Sequence, residues 1–393
     1  MKYVIFLLIY LSANVAFSQE KLRIDPNSSI DPNFSDVFES VQFINLETTK
    51  DSRFGLIKQL FVTDSLFILT EFNTHNIFMF YKDGRFKSKI LRDEYSNGII
   101  AVDEANEVIY YNKGRKRYKY NLNGALLQEN LGIHIGEMAF LHENQIIYRD
   151  KRVFSGLEDT LNNEIYIVKG DDRIYNSFPY HMQNDEFLPE DKTNLYHTFF
   201  HNNNFAEVLF TMPNEYKIYR ARKDSIEIVY EIIFPEQFNL DAIALRNLKK
   251  YKIGNKLKYY TDNPEKIEFL GFPYLINNNL FFKPISKNNH FDSFLYKINS
   301  GELFNITKVI PDKKSYFLNV LNIPPPSEFY NKNFLVSDGK AIYATIPANQ
   351  IIDEITLNKS KDIEIAYPKE IQQVFNNKQT DQNQLIICLI PKN

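Results

Sequence analysis

Asp83-Gly84 and Asn123-Gly124 stand forty residues apart, and each closes the same run of short β-prone segments. Before and after the first dipeptide, Ile57 to Val62, Leu66 to Thr70, Ile77 to Tyr81 and Phe86 to Ile90 read as four apolar strands, with Thr63-Asp64 and Asn73-Thr74 at the other two breaks. Around the second, Glu107 to Tyr111, Tyr118 to Leu122 and Leu126-Leu127 repeat the outer half of that pattern. Asp-Gly and Asn-Gly supply the positive φ values that a tight hairpin turn needs, so these dipeptides close strands and do not cradle phosphates. Four strands recurring about every 40 residues are the signature of a toroid of radial sheets. The chain is expected to be all-β, a β-propeller of four-stranded antiparallel blades.

Four further units complete a count of six. They run from Met138 through Ile146-Ile147-Tyr148 to Val168, from Ala206 to Ile233, from Tyr274 to Gly301, and through Phe334-Leu335-Val336, Asp338-Gly339 and Ile342 to Thr345. Between the fourth and fifth, Leu240, Ile243, Ala244, Leu248 and Tyr251 fall near helical spacing, which predicts a short helical insertion over about 239–260. A second short helix is expected from Pro368 to Phe375, ahead of a terminal strand Leu385 to Ile390. An open toroid would leave unpaired sheet edges between its first and last blades. The strand Val41 to Leu46 is therefore expected to share a blade with the C-terminal strand, giving a domain of 41–393 after a lead segment 19–40.

Compartment is read from the N-terminus. Lys2 precedes an apolar run from Tyr3 to Leu11, and Ala16-Phe17-Ser18 offers a cleavage point, so residues 1–18 read as a signal peptide. The expected location is periplasmic or extracellular. Gln19 follows the cleavage point and the one cysteine is Cys388, which argues against a lipoprotein; its aliphatic flanks mark Cys388 as a buried strand residue. No later run reaches the roughly 18 apolar residues of a spanning helix, so none is expected in the mature chain. Charge is nearly balanced, 46 Lys plus Arg against 49 Asp plus Glu, which excludes a general electrostatic case for nucleic acid.

Val41-Gln42-Phe43-Ile44-Asn45-Leu46-Glu47-Thr48-Thr49, then Phe54-Gly55-Leu56-Ile57, resembles the opening of the exported six-bladed β-propeller proteins of Bacteroidetes, a group related to NHL-repeat propellers. Ile77 to Phe80 with Asp83-Gly84-Arg85-Phe86 is similar to that family's first full blade, and Asn383 to Ile387 to its last strand. One departure is that the family's Gly-rich segment ending in Gly-Glu-Tyr is reduced here to Glu94-Tyr95 after Leu91-Arg92-Asp93. The resemblance implies a fold and an envelope location, and leaves activity open.

Local motifs for chemistry are sparse. His197 and His201 are four apart but lie in a β-prone stretch without a zinc signature, so neither a metal nor a cofactor is expected. The basic run Lys113 to Arg117 reads as a solvated strand connection. Polar residues at the ends of probable inner strands carry the remaining signal: Glu71, Asn73 and His75 in one unit, Arg149 and Asp150 in another, placed to contact a polar ligand at one mouth of the ring. The expected function is a monomeric exported binding or scaffold module that recognises an envelope protein, peptide or glycan. The alternative is a propeller hydrolase or lyase acting on extracellular carbohydrate or peptide, whose active residues would come from several blades and leave no local spacing.

Overall fold

The computed structural model describes residues 20–393 other than 56, 72, 92–99, 114–115, 130–135, 142–144, 151–162, 170–171, 180–198, 203–206, 213–214, 224, 242–253, 288–291, 322–335, 362–363 and 378–383. An N-terminal segment holds β1 (Glu20–Arg23), the one-turn helix α1 (Phe34–Val37) and β2 (Phe38–Asn45). Blade 1 is β3 (Ile57–Val62), β4 (Leu66–Glu71), β5 (Ile77–Tyr81) and β6 (Phe86–Ile90). Blade 2 is β7 (Ile100–Asp103), β8 (Val108–Lys113), β9 (Lys116–Asn121) and β10 (Leu126–Glu129). Blade 3 is β11 (Gly136–Phe140), β12 (Gln145–Asp150), β13 (Asn163–Lys169) and β14 (Asp172–Pro179). Blade 4 is β15 (Phe199–Asn202), β16 (Glu207–Thr211), β17 (Lys217–Arg222) and β18 (Ser225–Ile233). Helix α2 (Gly254–Asp262) precedes blade 5, which is β19 (Ile267–Ile276), β20 (Asn279–Ser286), β21 (Phe294–Lys297) and β22 (Leu303–Asn305). Blade 6 holds β23 (Val336–Ser337), β24 (Ile342–Ile346) and β25 (Leu385–Pro391), with α3 (Ala348–Ser360) and α4 (Lys369–Asn377) inserted between the last two.

The ring is closed by β2, which lies antiparallel on β25 with Val41 opposite Leu389, Phe43 opposite Ile387 and Asn45 opposite Leu385. Chain ends thus share blade 6, as the edge argument requires. Each sheet is covered on both faces by its neighbours, which explains why the strands read as continuous apolar runs. In β4 all six residues are buried. Phe67 and Leu69 meet Val336, Tyr343 and Ile386 of blade 6, while Leu66 and Ile68 meet Ile100, Val102 and Ile109 of blade 2.

The Gly turns do more than end strands. Gly84, at φ +87°, sits so close to blade 6 that a Cβ would stand 2.0 Å from the backbone oxygen of Asn45. Gly124, at φ +85°, repeats the contact one blade on, 3.0 Å from the Lys89 oxygen. Glu47 N donates to Gly84 O at 2.9 Å, and Glu47 Oε2 accepts from Phe86 N at 2.7 Å, so the turn of one blade is bonded to the segment leaving the preceding one.

Three features differ from or add to the sequence reading. Strand β1 pairs parallel with β18, Leu22 opposite Ile232, and makes blade 4 five-stranded. From there the segment runs along the outside of the ring, bridging Phe304 through Ile30 and Ile310 through Asn33 before entering blade 6 as β2. Helix α3 was not expected; it buries Ile351 and Ile355 in the same core cluster as Ile371 and Val374 of α4 and Leu318 and Val320 of the preceding crossover. A helix expected over about 239–260 falls largely outside the described residues, Ile243, Ala244, Leu248 and Tyr251 among them; the described helix of this connection is α2, over 254–262. Residues 1–18, read above as a signal peptide, and Glu94-Tyr95 and His197 also lie outside them. Cys388 is buried, within the cluster shared by blades 1 and 6.

Candidate binding face

Antiparallel connectivity sorts the loops onto two faces. On one, the first strand turns into the second and the third into the fourth, and each of these connections spans two to five residues, from 170–171 to 298–302. On the other, the second strand turns into the third and each blade crosses to the next. Among the described residues that face carries α2, the crossover residues 306–321 and the inserted helices α3 and α4. Glu71 and Asp150 end the second strands of their blades and Arg149 stands one residue earlier, so the topology places them, with Asn73 and His75, at this elaborated face.

The two groups differ in what they offer. Glu71 is 4% exposed and its carboxylate is already engaged: Oε1 accepts from Asn73 N at 3.1 Å, and Oε2 accepts from Thr74 N at 2.5 Å and Thr74 Oγ1 at 2.6 Å. A carboxylate taking three donors organises the β4–β5 connection as an Asx-type side chain organises a turn. Gly55 leaves it room, since a Cβ there would stand 3.0 Å from Glu71 Oε1. The connection presents Asn73 to solvent and holds His75 half-buried at φ 56°, a left-handed conformation uncommon for a non-glycine residue. Glu71 is thus the base of this loop, and Asn73 and His75 are its presented residues.

Arg149 is 1% exposed, among the largest fully buried side chains of the protein. The register sets it opposite position 137 of β11, and alternation along the strand puts it on the face of β12 that carries Ile147, which packs with blade 4. Asp150 closes β12 beside it; its side chain lies outside the described residues. The sequence pattern missed Arg117, which ends the basic run but turns inward. It is 5% exposed, donates through Nη1 to Tyr148 Oη at 2.9 Å and lies over the Tyr148 ring. Tyr148 stacks on Tyr166 with centroids 5.3 Å apart, and Arg173 covers Tyr166 at 4.4 Å. Burial pushes the Tyr148 hydroxyl up from its ordinary value, with the Arg117 guanidinium opposing the shift, so the phenol stays neutral and the guanidinium is shared between blades 2 and 3.

The opposite face is held together by short polar contacts between blades. Asp64 N donates to Glu104 Oε1 of blade 2 at 2.5 Å. Lys82 Nζ lies 4.6 Å from the Phe67 ring centroid and 5.2 Å from that of Tyr343, whose hydroxyl donates to Asp338 Oδ2 at 2.8 Å. Burial lowers the Lys82 ammonium and raises the Glu104 carboxyl. These groups seal seams. Among the described residues no group of three or more His, Cys, Asp or Glu could hold a metal ion.

Residues 14–325 match a family model described as 6-bladed beta-propeller, DUF5128. The chain belongs to this six-bladed β-propeller family. Among solved structures it is similar to a protein of Bacteroides fragilis described as exported, with 14% identity, 95% of this chain and 100% of that chain covered, and a TM-score of 0.67. That likeness shows the fold of the propeller over nearly its whole length. A member of the duf4221 family from Bacteroides vulgatus aligns at 12% identity over 91% of this chain and 98% of that one, with a TM-score of 0.43. The extracellular domain of a hybrid two-component system of B. thetaiotaomicron aligns at 11% identity over 67% and 29%, with a TM-score of 0.34. No curated protein matches the propeller. No helix among its described residues is long and apolar enough to cross a membrane.

Proposed function

We propose that this propeller is an exported binding module of the cell envelope, related to the exported Bacteroidetes and NHL-type propellers, which recognises its partner through the elaborated face. The observation that carries the reading is the asymmetry of the ring: among the described residues α2, the crossover 306–321 and the helices α3 and α4 lie on one face, while the described turns of the other are two to five residues long. Binding residues concentrate on loops set by a rigid scaffold, and in propellers such loops surround one mouth of the channel. Export is supported by the Lys2-led apolar run Tyr3 to Leu11 and by the exported description of the similar B. fragilis protein. Asn73 and His75 are the proposed contact residues, with Glu71 supporting their connection from within, and Asp150 beside the buried Arg149 is proposed at the rim of blade 3.

The test is site-directed photo-crosslinking in native envelopes. A photoreactive residue at Asn73 on the elaborated face should yield a discrete adduct, and one at Asn106 on the tight-turn face should not. Adducts from Asn106 alone would overturn the reading.

A further inference from the structure

Ring closure and the N-terminal strand are separate devices. The ring is shut by β2 on β25, whereas β1 is added to the outside of blade 4, parallel to β18 in an otherwise antiparallel sheet, with Lys21 opposite Glu231 and Leu22 opposite Ile232. Leu22 and Ile24, 4% and 2% exposed, enter the cluster that Ile232, Phe234 and Phe238 share with Leu303 of blade 5. Further on, Ile30 N donates to Leu303 O and Ile30 O accepts from Asn305 N, both at 2.9 Å. The outer edges of blades 4 and 5 thus form one groove that takes an extended segment by strand addition. It has apolar seats for Leu22 and Ile24 and a carboxylate, that of Glu231, 3.3 Å from the Lys21 ammonium.

The segment in that groove is held by little buried surface. Glu20, Lys21 and Arg23 face water, the pairing is four residues long, and parallel pairs are slightly weaker per residue than antiparallel ones. The strand leaves through a turn, Asp25 to Ser28, whose bonds are local: Asp25 Oδ1 accepts from Asn27 N and Asp25 O from Ser28 N, each at 3.0 Å. An edge segment with few buried apolar side chains opens without the rest of its domain. The incoming strand whose fit the structure displays is this same sequence. Ile30 and Ile310, each 52% exposed along the strap, give a second copy apolar surface to cover. We propose that the groove on blades 4 and 5 also takes residues 20–24 of a second copy of this chain, so that two propellers associate rim to rim by exchanging N-terminal strands.

Two preparations of the full chain test it, one carrying Lys21→Cys and the other Glu231→Cys, at side chains 60% and 30% exposed, while the native Cys388 is buried. A disulfide between positions 21 and 231 can then form only between different chains. After mixing and mild oxidation, peptide mapping should find it, and Leu22→Asp added to the Lys21→Cys chain should cut its yield about tenfold with an unchanged melting curve, because the ring closes without β1. In the unaltered protein the Ile24 amide, which donates to Ile233 O, should exchange about tenfold faster than the amides of β2. Absence of the 21–231 disulfide, a yield that Leu22→Asp leaves unaltered, or Ile24 exchange as slow as that of β2 would each overturn the proposal.

Discussion

Gly84→Ala should damage the ring more than any other glycine-to-alanine change at a turn. Two costs add. An L side chain at φ +87° costs about 1 to 2 kcal/mol. The new Cβ would also stand 2.0 Å from the Asn45 backbone oxygen, and neither partner is a flexible side chain, so the blade 1 turn must withdraw from blade 6. Withdrawal breaks the Glu47 N to Gly84 O bond and the bond from Phe86 N to the Glu47 carboxylate, together about 2 to 4 kcal/mol. The sum is about 4 kcal/mol, a large share of a domain's stability. Gly301→Ala is the control: its φ is +74°, but its Cβ would meet only Tyr296 Oη at 3.7 Å, so strain alone remains, about 1 to 2 kcal/mol. Urea unfolding followed by tyrosine fluorescence and circular dichroism reads the difference, the chain having no Trp. If Gly84→Ala loses no more stability than Gly301→Ala, the turn does not seal blade 1 against blade 6.

Deleting residues 385–393 removes β25 and with it the partner of β2, so the truncated propeller should lose its cooperative transition; melting at the parent temperature with the same cooperativity contradicts closure through blade 6. Arg149→Ala should cost about 2 to 4 kcal/mol, because it empties a fully buried site, and a melting curve matching the parent's would place Arg149 at the surface instead. The N-terminal segment should loosen in acid. Burial by itself would raise the Asp312 carboxyl, but hydrogen bonds from Ser35, Lys314 and Ser315 outweigh it and hold it below its ordinary value of 3.8. A depressed folded-state value means that its stabilisation is complete above 3.8 and disappears as pH falls through the lower folded value. Hydrogen exchange at Ser35 should therefore accelerate only below about pH 4, and Asp312→Asn should remove that dependence; an identical acid profile in the variant refutes the role.

Much of the architecture is legible in the chain because blade packing covers both faces of each sheet. That makes strands such as Leu66 to Glu71 continuous apolar runs, and Gly-bearing turns punctuate them at a fixed period. The strand Glu20–Arg23 carries no such mark: it is four residues long, mostly charged, and depends on Ile232 and Phe234 for burial of Leu22 and Ile24. Helix α3 is rich in isoleucine and sits between two strands of one blade, so its β-branched residues conceal it. At the site, the polarity of Glu71, Asn73 and His75 was readable, and so was the local spacing by which a carboxylate can reach the amides two and three residues on. What sequence could not supply is long-range: that Gly55 packs beside Glu71 and accepts from Gln384, and that Arg117 and Arg149 are interior although arginine is almost always at the surface.

The face by which the propeller recognises its partner is the central question. Hydrogen exchange of the propeller alone and of the same protein captured in native envelope reads this directly. Protection on capture should appear in the connections 72–76, 212–216 and 287–293 of the elaborated face. Protection confined to the turns 63–65, 82–85, 104–107 and 122–125 would contradict the account.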